Sequence, residues 1–110
     1  MMYKINFIFA KKGLMRYISH LDLMRLFIRA MRRAQFPLKY NQGFSLHPKF
    51  SIRRALKLGI ESEGEEAEVF LNEFLEPEVF QDRLQKELPE GIVIKEVIIN
   101  EIPAHNNQLN

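Results

Sequence analysis

The sequence predicts an α+β domain in which a four-stranded antiparallel sheet carries two helices on one face. Three observations predict it. Apolar residues alternate with polar ones in four stretches and recur at helical spacing in two others. These stretches follow one another as β-α-β-β-α-β within 110 residues, the length of one domain. The mixture of 46% hydrophobic and 27% charged residues is that of a globular chain, not a disordered one.

Tyr3, Ile5, Phe7 and Phe9 point one way and Lys4 and Asn6 the other, so residues 2–10 form a half-buried strand. Lys11-Lys12-Gly13 signals a turn after it. Ser19 offers an oxygen to cap a helix, with Asp22 three residues on as the acid of a capping box. From there to about Gln35, the residues Leu23, Met24, Phe27, Ala30, Met31 and Ala34 share one face, and Pro37 forbids continuation. Residues 38–48 read as an ordered loop in which Gly43 permits a positive φ and Pro48 biases His47 towards an extended backbone.

Residues 49–60 alternate again, with Arg54 interrupting the apolar side as at a bulge. Glu61-Ser62-Glu63-Gly64 reads as a hairpin turn before a strand over 65–72, where Ala67, Val69 and Leu71 alternate with acids. A second helix is expected from about Glu76 to Leu88. Pro77 sits in its first turn, and Val79, Phe80, Leu84 and Leu88 form its stripe. Pro89-Glu90-Gly91 ends it, and Ile92–Ile99 is a last β-branched strand. Right-handed crossovers in this order give the ferredoxin-like arrangement. A single domain is expected over residues 1–102, with Pro103–Asn110 a flexible tail.

Composition narrows the function. The absence of cysteine removes disulfide frameworks and thiolate metal sites and suits a reducing cytoplasm. No apolar run approaches the roughly 20 residues that span a bilayer, so no membrane partner is expected. Nothing matches a P-loop, a dinucleotide fingerprint or a nucleophile elbow.

Charge is the most informative feature. Met1 to Ile60 hold 13 Lys/Arg against one acid, Asp22, a charge of +12; Glu61 to Asn110 hold 3 against 13, a charge of −10. Such a split points to a polyanion partner for the basic part or a docking role for the acidic part, unless the halves neutralise one another. Arg25, Arg29 and Arg32 recur at i, i+4 and i+7 on the side opposite the apolar stripe, with Arg33 beside them. Guanidinium forks bind phosphate bidentately, so these four are expected to hold RNA phosphates, with Lys49, Arg53 and Arg54 extending the track. Together they would make about six to eight phosphate contacts. Tyr40 and Phe44 flank the loop glycine as platforms for an unpaired base.

His20 projects onto the apolar face of the first helix and His47 sits in the loop. Two imidazoles from separate segments could form an acid/base pair, which would make the domain a metal-free RNA endonuclease using His20 and His47. No third ligand is spaced for a metal, and His105 lies in the tail, so no metal site is expected.

The ordered residues Ser19-His20-Leu21-Asp22-Leu23-Met24-Arg25 and Arg29-Ala30-Met31-Arg32-Arg33-Ala34 resemble the opening of the radical-SAM-linked domain family. Pro37, Tyr40, Gly43-Phe44, His47-Pro48 and Gly59-Ile60-Glu61-Ser62-Glu63-Gly64-Glu65 follow in the family's order. This bacterial domain of unknown function occurs alone or fused to a B12-binding radical SAM protein. The resemblance marks His20, Asp22, Tyr40, Gly43, Phe44 and His47 as motif positions, and it implies a pocket shared by His20 and the Gly43–Pro48 loop.

Two departures stand out: Asn41 where family members commonly have Ser, and Ile52–Lys57 reading Ile-Arg-Arg-Ala-Leu-Lys where they have a Pro-rich apolar stretch. Family members usually run well beyond 110 residues, so this chain is expected to be a shortened version or a fragment. Without a cysteine triad it cannot hold an iron–sulfur cluster in the usual way, and no cofactor is expected. The leading expectation is a non-catalytic RNA-binding accessory module that presents RNA to a radical SAM modification enzyme. The alternative is a protein-interaction subunit docking a radical SAM partner through its acidic half, Glu61–Glu101.

Overall fold

A computed structural model describes residues 1–43 and 45–103. The tail expected over 103–110 therefore lies, beyond Pro103, outside the described residues, as does Phe44. The elements are β1 (Met2–Lys11), α1 (His20–Arg33), β2 (Phe50–Ile52), β3 (Ser62–Leu71), α2 (Pro77–Lys86) and β4 (Ile92–Ile102), with a 3-10 turn over Gly13–Tyr17. They form one antiparallel sheet in the order β2-β3-β1-β4, the ferredoxin-like order.

The inward residues of β1, Ile5, Phe7 and Phe9, are buried beneath Leu23, Phe27, Ala30 and Met31 of α1 and Phe80 and Leu84 of α2. Phe27 joins the helix to the sheet, with its ring 4.8 Å from Phe9, 5.7 Å from Phe7 and 5.7 Å from Phe50. Truncating it to Ala removes a fully buried ring and costs about 3–5 kcal/mol.

Both ends of α1 are fixed locally. At its start, Ser19 Oγ accepts from the Asp22 N–H at 3.1 Å. The Asp22 carboxylate turns to Arg25 instead of back to Ser19, so half of the expected capping box forms. At its end, Gln35 adopts a left-handed φ of 60°. Its N–H reaches the Arg32 carbonyl, and the Phe36 N–H reaches Met31. This is a Schellman closure with Gln where Gly is usual, followed by the buried ring of Phe36. Gly91 is needed at the turn into β4. Its φ is +101°, and a Cβ there would sit 2.6 Å from the Lys12 carbonyl oxygen.

The structure corrects four expectations. The strand expected over 49–60 is only Phe50–Ile52. The Arg53 N–H still bonds the Glu66 carbonyl, but the Arg54 side chain turns to the buried carboxylate of Glu65, and pairing stops there. The residues Ser62, Glu63 and Gly64, expected as a turn, open β3, because Lys11 extends β1 far enough to pair with Ser62. The last strand runs on to Ile102 alongside β1. Val79, expected in the stripe of α2, is 40% exposed, and Phe80 and Leu84 carry that contact instead.

Candidate nucleic-acid interface

Helical periodicity puts Leu21, Arg25, Arg29 and Arg32 on the outward side of α1, opposite the buried Leu23, Phe27, Ala30 and Met31, with half-buried Ile28 on the flank between. Arg25, Arg29, Arg32 and Arg33 are all exposed. At 1.5 Å per residue, Arg25 to Arg32 span about 10 Å of helix axis.

The loop after β-paired Tyr40 folds back against this side. Its neck is closed by the Asn41 N–H donating to the His47 carbonyl at 2.7 Å and by a bridge between Tyr40 and Pro48. Pro48 is buried, which fixes His47 with its side chain exposed. Arg25, Arg29 and Arg32 from the helix and His47 from the loop line one groove of about 370 Å³, completed by apolar Ile28, Leu46 and Pro48. Among the described residues, no carboxylate lines it.

Among the described residues, the arginines of α1 make one ion pair, Arg25 with Asp22 at 3.4 Å. Both partners are more than 60% exposed, so the pair is weak and leaves the guanidinium accessible. The site can therefore bind an anionic ester through several forks while an apolar or planar group rests on Ile28, Leu46 and Pro48.

The other expected phosphate contacts lie elsewhere. Lys49 and Tyr40 line a separate depression with Lys39, Asn41 and Gln42. The Lys49 ammonium also sits 4.9 Å from the centre of the Phe70 ring, which it covers. Arg53 faces the open side of the sheet beside Asn6 and Ser51 and holds Glu66 at 3.1 Å. Arg54 makes a fork of two bonds, both 2.9 Å, to Glu65. The seven cations form no single track. Arg25, Arg29 and Arg32 are the three that share a site, with Arg33 exposed on the same helix.

The motif positions separate in the same way. His47 lines the groove. His20 is the first residue of α1, on its core-facing side, and its Nδ1 is buried without a partner among the described residues. It does not line the groove, so among the described residues no second imidazole joins His47 there. Asp22 is exposed one turn before the groove, and Gly43 is exposed with φ +151°, the freedom its position requires. Phe44 lies outside the described residues.

Residues 4–110 match the family model described as Uncharacterized protein conserved in bacteria (DUF2344). The chain belongs to this family. No curated protein and no solved structure matches it. No described helix is long and apolar enough to cross a membrane, and no group of three or more metal-ligating side chains occurs among the described residues.

In this DUF2344 member, sequence reasoning missed a buried polar cluster at the far end of the sheet. Lys11 is 0% and Glu65 2% exposed. Arg54 and Ser62 both donate to the Glu65 carboxylate. The Arg54 bonds hold that carboxylate below its usual pKa range, against the burial that opposes ionisation. Burial lowers the pKa of Lys11, with Glu65 opposing, and among the described residues its ammonium reaches the Arg16 and Lys57 carbonyls, at 3.5 Å. The alternation contained the signal. Continuing Tyr3, Ile5, Phe7 and Phe9 by two places gives Lys11, and continuing Leu71, Val69 and Ala67 gives Glu65.

Proposed function

We propose that this chain is a non-catalytic RNA-binding module that grips phosphates in the groove between α1 and His47. The single observation carrying the reading is that three guanidiniums and an imidazole line one groove with no carboxylate from the described residues among them. Guanidinium and imidazole recognise phosphate through charge-assisted bonds, and the apolar lining suits an adjoining base. The further role of presenting RNA to a radical SAM modification enzyme rests on the resemblance of the 19–34 and 37–65 motifs to radical-SAM-linked domains.

Two alternatives have less support. Docking through the acidic half would use Glu65, Glu66 and Glu68, which are engaged by Arg54, Arg53 and Lys4 within the chain. An endonuclease needs two acid/base groups at one site, and among the described residues the groove contains one histidine.

The test is retention of total cellular RNA by the purified chain across a salt series. Three phosphate contacts predict log affinity falling against log salt with a slope of about −2 for single strands. Arg29→Glu with Arg32→Glu should abolish retention while leaving the circular dichroism unchanged. Salt-insensitive retention, or retention that survives the double reversal, overturns the reading.

A further inference from the structure

The two margins of the sheet are treated differently. β2 is a three-residue edge, whereas β4 is an edge of 11 residues that pairs only with β1. The first part of its outer side is closed by α2. Gln85 Nε2 donates to the Ile92 carbonyl and Gln81 Nε2 to the Ile94 carbonyl, both at 2.9 Å, while the Ile94 N–H donates to Gln85 Oε1 at 2.8 Å. Two glutamines thus stand in for a neighbouring strand over residues 92–94.

Beyond Ile94 the register shifts at a bulge, where Ile8 faces Glu96 and Phe9 faces Ile94. Antiparallel alternation then directs the N–H and C=O of Glu96, Ile98 and Asn100 to β1 and those of Val97, Ile99 and Glu101 outwards. No backbone or side-chain hydrogen bond among the described residues reaches those outward groups. The open stretch runs from Lys95 to Glu101, and its centre is Ile98, which is 59% exposed.

We infer that this open stretch is a self-association edge, on which β4 of a second copy of the chain pairs antiparallel about Ile98. Three features single out a second copy. The open stretch from Lys95 to Glu101 centres on Ile98, so a two-fold pairing about Ile98 brings each of its residues opposite another. In that register Lys95, which also holds Glu63 at 3.0 Å, faces Glu101 of the second copy, Glu96 faces Asn100, and no like charges oppose each other. Val97 faces Ile99 as a hydrogen-bonded pair, and Ile98 meets its own copy as a close non-bonded pair on the open face of the sheet. Long unguarded edges invite such pairing, and the clamp at one end shows how this chain closes the remainder. The inference uses no residue of the groove and stands apart from the RNA reading.

Sedimentation equilibrium of the full chain is the first test. Its mass should rise from one chain to two between about 10 μM and 1 mM, as expected for a small interface. One chain mass throughout that range overturns the inference. Ile98→Lys opposes two ammonium groups at the centre and should weaken association by at least about tenfold, with unchanged circular dichroism. Unaltered association of this variant also overturns it.

Amide hydrogen exchange supplies the second readout. Amides of Ile98 and Asn100 should be protected at every concentration by β1, whereas those of Val97, Ile99 and Glu101 should gain protection only as the dimer forms. A dimer that leaves these three amides unprotected uses another surface and overturns the proposal.

Discussion

Arg29 and Arg54 are both exposed arginines in the basic half of the chain, yet they are electrostatically unlike. Arg29 projects from α1 into a groove without carboxylates. Arg54, with 71% of its side chain exposed, forks onto a Glu65 that is 2% exposed. The difference comes from their neighbours. The outward side of α1 faces a loop whose groove-lining residues are Leu46, His47 and Pro48. The segment after β2 runs beside β3, whose inward register continues into an acid. Part of the +12 in the first half is therefore cancelled by the −10 of the second, and part is not. A count of positive charge says little about availability until the strand partners are known.

The largest test of this contrast is Glu65→Ala. It leaves the buried Lys11 without its counter-charge and Arg54 without its acceptor, at a cost of about 3 kcal/mol, read as a lower urea midpoint. An unchanged midpoint would mean that the cluster is incidental.

Next in size is RNA affinity. Arg29→Glu with Arg32→Glu should lower it by about a hundredfold, while Arg53→Gln should change it by less than about threefold, because Arg53 lines a different depression, beside Asn6 and Ser51. Equal losses from the two substitutions would erase the distinction between arginines inside and outside the groove.

The pH dependence of stability is smaller and signed. Arg54 keeps the folded Glu65 carboxyl below the unfolded value of about 4.3, so its stabilisation is complete above that value and is lost as pH falls through the folded one. Lys11 acts at the alkaline end. Its folded pKa is lowered, so folding carries a penalty while the group is charged, and stability rises as pH climbs from the folded towards the unfolded value. Glu65→Gln should flatten the acid limb of a urea-midpoint series. Persistence of that limb would assign it to other carboxylates, such as Glu63, whose pKa Lys12 also lowers.

The smallest effect is the stability of Arg29→Ala. Among the described residues Arg29 has no ion-pair partner to lose, and repulsion from Arg25 and Arg32 is relieved, so the midpoint should stay within about 0.5 kcal/mol of the parent. A larger loss would reveal a hidden structural role for the ridge.

The fold was legible because its signals are local and repeated. The alternation in β1, carried by Ile5, Phe7 and Phe9, and the 3.6-residue stripe from Leu23 to Met31 each recur several times, so no single residue decides them. The Ser19 cap was equally plain. The limits of the strands around residues 49–64 were not, because Arg54 and Glu65 recruit each other across 11 positions and override the alternation of either strand alone. Of the groove, the arginine ridge was visible at i, i+4 and i+7, but its partnership with His47 depends on how the 40–48 loop closes at Asn41 and Pro48.

By itself, the order of residues determined the element sequence, the buried face of α1 and its outward arginines, since periodicity acts within a few residues. The tertiary structure decided which of those cations keep their charge for a ligand, that His47 and not His20 joins them, and that the outer side of β4 stays open beyond Ile94. These outcomes depend on groups distant in sequence meeting across strands and loops, and local pattern carries no record of which distant carboxylate or glutamine arrives there.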